Sequence, residues 1–144
     1  MSALGDIYIE LDLRLAAVPL VADYERMPSG DPSRFPALRG FDDGDEPIDG
    51  EPGATRLTNN FSLEGIVEGG SGAEAHQVLL DLHAQAVAAL CGDGGTLGGL
   101  VENIEIVGQR RTDVSELASK RRIAFAQDFA ITYATARGDP AVRA

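Results

Sequence analysis

From Arg121 to Thr135 the chain alternates for fifteen residues. Ile123, Phe125, Phe129, Ile131 and Tyr133 fall on one side, interrupted only by Gln127. Ala124, Ala126, Asp128, Ala130, Thr132 and Ala134 fall on the other. Successive side chains of a strand point to opposite faces, so this pattern makes one bulky face and one face of small residues. Strands usually run about five or six residues. At about 3.3 Å per residue this one spans roughly 50 Å, longer than a domain of this size needs. Part of it is expected to project or to pair elsewhere. Its bulky face predicts core, and its alanine face predicts close packing by another element, because solvated strand faces are ordinarily more polar.

The remaining segments must build a sheet around that strand. Leu4 to Val18 carries two patterns at once. Leu4, Ile7, Leu11, Leu15 and Val18 follow helical spacing, with Glu10 and Arg14 one turn apart. Ile7, Ile9, Leu11, Leu13 and Leu15 alternate with polar residues as a strand would. Ala16 and Ala17 before Pro19 resemble a helix running out, and we read a helix. Leu20–Arg26 reads as a short strand and Met27–Arg34 as turns. Phe35–Phe41 reads as a second short strand, placed by Pro36 at an edge or strand start. Asp42–Gly53, with six carboxylates, two prolines and three glycines, reads as a loop with nothing to bury, flexible to about residue 54.

Thr55–Glu68 is a longer strand with Leu57, Phe61, Leu63 and Val67 on one face. Gly69–Gly72 breaks it, Ser71 and Glu74 have capping-box spacing, and Gly92 stops the helix that follows. That helix carries a broad stripe of Val78, Leu79, Leu82, Ala86, Ala89 and Leu90, and a second of Leu80, Ala84, Val87 and Cys91. A helix apolar over more than half its circumference is covered on two sides. Either the N-terminal helix or a neighbouring subunit would supply the second cover. Asp93–Gly99 is a turn, Glu102–Gln109 a fourth strand, Arg110–Ser119 a polar connection and 138–144 a short tail. The sum is one α+β domain over residues 1–144: a single mixed or antiparallel sheet of four to five strands packed by two helices.

Composition narrows what such a domain does. At 144 residues and 44% hydrophobic it suits one folded core. Its apolar runs are too short for a membrane span, no export leader is visible, and the single Cys91 fits a reducing compartment. A net charge of −11 repels nucleic acid over most of the surface, since gripping a duplex requires Lys and Arg on the phosphates.

No catalytic set appears. His76 and His83 sit two turns apart at the border of the apolar arc, where half-buried histidine is commonplace. Cys91 lacks a local activating base and reads as a small core residue. The clusters Gly92-Asp93-Gly94-Gly95 and Gly98-Gly99 follow a helix rather than a strand and match no phosphate-loop spacing. The carboxylates Asp42, Asp43, Asp45, Glu46, Asp49 and Glu51 lack the ligand order of a calcium loop. No enzymatic activity, metal or cofactor is implied. Charge is nonetheless segregated: Arg110, Arg111, Lys120, Arg121 and Arg122 crowd thirteen positions, while the 42–51 segment holds no base. An acidic loop meeting a basic patch on an identical neighbour is a head-to-tail contact, and such contacts close into rings.

The order of segments then carries a resemblance. Tyr24-Glu25-Arg26-Met27-Pro28-Ser29-Gly30-Asp31-Pro32 is followed by Phe35-Pro36-Ala37-Leu38, and later by Leu63-Glu64-Gly65-Ile66-Val67-Glu68-Gly69. After the long helix come Leu97-Gly98-Gly99-Leu100-Val101-Glu102 and the strand Ala124–Tyr133, closing on Arg137-Gly138-Asp139-Pro140. Over nearly its whole length the chain resembles the small tail terminator, or tail completion, proteins of long-tailed bacteriophages and the related gene transfer agents. The resemblance implies a virion protein that forms a ring, typically a hexamer, at the head-proximal end of the tail tube. It would stop tube polymerisation, provide the head-joining surface, and let DNA pass without specific binding. Its implied partners are copies of itself, the tail tube protein and head–tail connector proteins, with no membrane.

On that reading the expected subunit contacts are Leu80, Ala84, Val87, Arg110, Arg111, Lys120, Arg121, Arg122, Ala126 and Asp128. The 42–51 carboxylates would line the bore or meet a neighbour. A head–tail connector or minor tail protein is a near alternative. A small ligand- or cation-binding accessory domain is one of a different class, and it would show a cleft of convergent polar groups.

Overall fold

The computed structural model describes residues 2–48, 52–69, 72–113 and 122–144. Its first element is a helix, α1 (Ala3–Ala16), capped by Ser2, whose Oγ accepts from the Gly5 N–H at 2.9 Å. Burial decides between the two patterns written into this segment. Ile7, Tyr8, Leu11 and Leu15 are buried, whereas Ile9 and Leu13, which completed the strand-like alternation, stand 44% and 63% exposed. The helix won because its 3.6-residue stripe reaches the core; two apolar residues are left on the outer face.

Six strands follow in one mixed sheet: β1 (Asp23–Arg26), β2 (Ala37–Ile48), β3 (Ala54–Glu68), β4 (Asn103–Asp113), β5 (Arg122–Ala136) and β6 (Asp139–Arg143). The order across the sheet is β1-β2-β3-β5-β4, with β6 also pairing β5. β1 lies parallel to β2, and the remaining pairs are antiparallel. A second helix, α2 (Gly72–Cys91), and a 3-10 turn at Leu97–Gly99 complete the chain. The α+β architecture expected from the pattern is the architecture found.

Several boundaries differ from the sequence reading: the strand read over Leu20–Arg26 is confined to Asp23–Arg26, the one read from Phe35 begins at Ala37, and three others move further. The acidic segment is no loop as far as Ile48: β2 runs through it, paired from Asp45↔Asn59 to Ile48↔Arg56. Backbone ladders need no side-chain burial, so a stretch of carboxylates extends a hairpin as well as apolar residues do. Asp49 and Glu51 lie outside the described residues. The Arg110–Ser119 connection is strand up to Asp113, which pairs with Ile123, and 114–121 lie outside the described residues. The C-terminal tail turns at Arg137-Gly138 and returns as β6, pairing Thr135↔Arg143 and Ala136↔Asp139. The capping role read for Ser71 also falls outside the described residues.

The long strand does not project alone. β5 pairs with β3 over all fifteen residues, from Ala54↔Ala136 to Glu68↔Arg122, while β4 and β6 share its other side. It is the central strand, and its length is matched by that of β3. Phe125, Phe129, Ile131 and Tyr133 are buried beneath the helices as expected. Gln127, the interruption, is buried too: its Oε1 lies 2.8 Å from Nε2 of His83, and its Nε2 donates to the Gly108 carbonyl at 2.8 Å. His83 also meets Phe125 edge-on with ring centroids 5.1 Å apart, which makes it a satisfied, half-buried packing residue.

The helices divide the sheet between them. α1 lies toward the β1 side, where Tyr24 donates to Asp12 at 2.8 Å and the Arg26 guanidinium sits 5.4 Å from the Tyr8 ring. α2 covers β3 and β5. Arg14 fastens the two, donating to Asp93 at 2.9 Å and to the Ala89 carbonyl at 3.3 Å. That guanidinium holds the Asp93 carboxyl below its ordinary value. A carboxylate lowered on folding stabilises the fold above its unfolded pKa and loses that contribution as pH falls through the folded one. The Asp93→Asn variant is therefore expected to melt below the wild type at pH 7, with the two midpoints converging under acid; circular dichroism melts at several pH values read this.

On the sheet's other face, Ala37, Ile66 and Ala124 are buried at the end that residues 27–35 approach. Arg39 donates to the Gly30 carbonyl there. Arg122 bonds Glu68 at 2.7 Å and lies 4.9 Å from the Phe35 ring. In the middle of that face Ser62, Ala126, Asp128, Ala130 and Thr132 are only half-buried among the described residues.

Candidate subunit-contact surfaces

The 42–45 carboxylates sit on a β-bulge, where the β2–β3 register shifts between Asp42 and Asp45. Gly44 takes φ +99°, a conformation that favours glycine, and the irregularity re-aims three acids onto two faces. On the helix side, Nδ2 of Asn59 donates to Asp42 at 2.9 Å and to Asp45 at 2.8 Å. Oδ1 of Asn59 accepts from the Tyr8 hydroxyl at 2.8 Å, and Asp45 accepts from the Tyr133 hydroxyl at 2.9 Å. Asn59 itself is 0% exposed. Burial, reinforced by Asp42 and Asp45, pushes the Tyr8 phenol well above its ordinary value; burial and then Asp45 do the same for Tyr133.

On the open side, Ser62 donates to Asp43 and lies 2.9 Å from Asp128, whose other oxygen accepts from Arg110 at 3.1 Å. A polar chain thus crosses β2, β3, β5 and β4. Arg110, followed by Ser62, holds the Asp128 carboxyl below its ordinary value. Asp42, Asp43 and Asp45 thus have partners within the subunit while remaining exposed, as Glu46 does.

The basic cluster is likewise divided. Neighbours on a strand point to opposite faces, so Arg110, opposite Ala126, and Arg111, opposite Phe125, part company. Arg110 and Arg122 are paired within the subunit, whereas Arg111 is exposed and makes no ion pair among the described residues. Lys120 and Arg121 lie outside the described residues. Ala126 and Asp128 are half-buried on the open face of the sheet. On α2, Val87 packs half-buried against the core, Leu80 is half-buried and Ala84 is exposed. The second stripe of α2 is therefore only partly covered by the rest of the chain.

Two apolar surfaces escaped the sequence reading. One is the outer ridge of α1, already described. The other is the β4 margin, where Ile106 is 54% and Val107 65% exposed beside a register shift. The strand-like alternation of Ile9 and Leu13 was the available signal for the first; for the second it was the Ile104-Ile106-Val107 run on a terminal strand.

Small-molecule chemistry finds little to work with. Among the described residues, no group of three or more His, Cys, Asp or Glu is placed to hold a metal ion. A hollow of about 310 Å³ between β3, β5 and the Gly99–Glu102 segment contains Arg56, Glu102 and Arg143. Arg56 and Glu102 pair at 2.8 Å, and Arg143 donates to the Gly99 carbonyl at 3.2 Å, so these groups serve one another. Burial pushes the Cys91 thiol above its ordinary value, the reverse of an activated nucleophile. No helix among the described residues is long and apolar enough to cross a membrane. Neither a protein-family model nor a curated protein matches the chain.

Proposed function

We propose that this chain is a structural subunit of a homo-oligomeric ring, a hexamer by its resemblance, that closes the head-proximal end of a phage-like tail tube. The ring stops tube growth, offers the surface that joins the head, and lets DNA through. The observation that carries the reading is the uncovered apolar surface: the ridge of α1, the margin of β4 and the partly open stripe of α2 all lie on the outside of one small subunit. Exposed apolar surface of this kind marks contact with another chain. The order of segments that resembles the tail terminators supplies the identity of the assembly. The excess of negative charge, −11 per chain, fits a bore that passes DNA without holding its phosphates.

Light scattering and negative-stain microscopy of the protein, alone and with the tail tube protein from the same locus, test the proposal. Rings of uniform size, or caps on tube ends, are expected. A protein that stays monomeric and leaves tube ends untouched would sink it.

A further inference from the structure

We propose that the α1 ridge of one copy packs on the β4 margin of the next, so that these two surfaces are the halves of one head-to-tail contact. This deepens the ring reading and rests on it. The two surfaces lie at opposite ends of the sheet. α1 reaches β6 as well as β1, but its exposed ridge borders Tyr24 and Arg26 of β1, at one end of the order β1-β2-β3-β5-β4, and β4 closes the other. Asp6, Ile9, Leu13 and Ala16 form one stripe at helical spacing, all exposed. Ile9, Leu13, Ala16 and Ala17 share a hollow of about 710 Å³ with Tyr24 and Arg26 of β1.

Orientation agrees. Ile106 pairs opposite Phe129, so its side chain leaves the sheet on the helix-bearing face, the face on which α1 stands. β1 runs with β2, and three antiparallel steps separate β2 from β4, so β1 and β4 run in opposite directions. A neighbour in the same orientation therefore brings its β1 edge to β4 antiparallel, the more favourable sense for strands. Repetition of that step about an axis closes a ring, whereas a contact of β4 with β4 would stop at a dimer.

Charge agrees as well. Arg111 lies on the same face as Ile106, exposed and without an ion pair among the described residues. The opposing surface offers Asp6, exposed at the start of the ridge. One exposed cation of the β4 margin, Arg111, thus meets one exposed carboxylate of the ridge, Asp6, which favours this pairing over contact between like surfaces.

Two variants separate head-to-tail from other arrangements. Leu13→Glu spoils the ridge and leaves β4 intact; Val107→Glu does the reverse. Both positions are exposed, so folding, checked by circular dichroism, is expected to be retained. Each variant alone should lose the ring, since a carboxylate enters an apolar contact. Mixed one to one, they should form a dimer through their two intact halves and go no further. The measurement is light scattering, with tube protein present if the wild type needs it.

A ring that persists in either variant, or a mixture that stays monomeric, overturns the contact while leaving the ring reading in place. So does a Leu13→Glu protein that rings normally but no longer caps tubes, which would assign the ridge to the tube protein. Should the wild type never assemble, both proposals fall together.

Discussion

Gly65→Val is expected to lower stability by about 3 kcal/mol, the upper end of what overpacking a core costs. A Cβ at position 65 would stand 2.5 Å from Cζ and 2.8 Å from Cδ2 of Phe125, and closer still to Cε2. The ring has nowhere to retreat, being buried on β5 directly opposite Gly65 with the edge of His83 against it. Either the β3–β5 ladder opens or the aromatic leaves its site. A loss of that size lowers the melting temperature by roughly 10 °C for a domain of this length. Gly108→Ala is the control, since a Cβ there meets nothing within 4 Å. Denaturant unfolding of both variants reads the difference. Wild-type stability in Gly65→Val would mean that Phe125 is less confined than its burial indicates.

Asn59→Leu is expected to cost nearly as much, about 2–3 kcal/mol. The change strands the buried Tyr8 hydroxyl without its acceptor, a penalty of about 1–3 kcal/mol for a buried polar group. It also deprives Asp42 and Asp45 of their shared donor. The Asn59→Asp variant makes the electrostatic part visible. Its new carboxylate would face two others, so its pKa in the folded state lies above the unfolded value. Such a group costs nothing while protonated at low pH and progressively more as pH rises through the carboxylate range. Asn59→Asp should therefore lose stability relative to wild type between pH 4 and pH 7 in urea titrations, whereas the Asn59→Leu deficit should vary far less. Equal pH profiles for the two would show that the network carries little of the fold's energy.

The faces of the central strand were legible because a period of two admits one reading over fifteen residues, and Phe125, Phe129, Ile131 and Tyr133 are buried accordingly. At α1 two periods coincided, and only the depth of the core could choose between them. The acidic arm was not legible, since backbone pairing leaves no mark on side-chain pattern. Asn59 left a faint one: it is the polar member of the run Leu57, Asn59, Phe61 and Leu63, all on one strand face, and a polar residue there needs partners. The segregation of charge did not say which face each base takes. Proximity in sequence along a strand separates side chains rather than gathering them, which sent Arg110 to Asp128 and left Arg111 outside.

The middle position of β5 also governs the order in which the protein comes into being. The strand is made after β3 and β4, yet it lies between them and pairs with both. Until Arg122–Ala136 leaves the ribosome, two long strands wait with unsatisfied edges and Phe61 and Ile104 lack their cover. Completion of the sheet thus waits for β5 and closes contacts far apart in sequence, such as Ala54 with Ala136, which makes it slow. A nascent chain cut short before β5 is the species from which chaperones have most to protect.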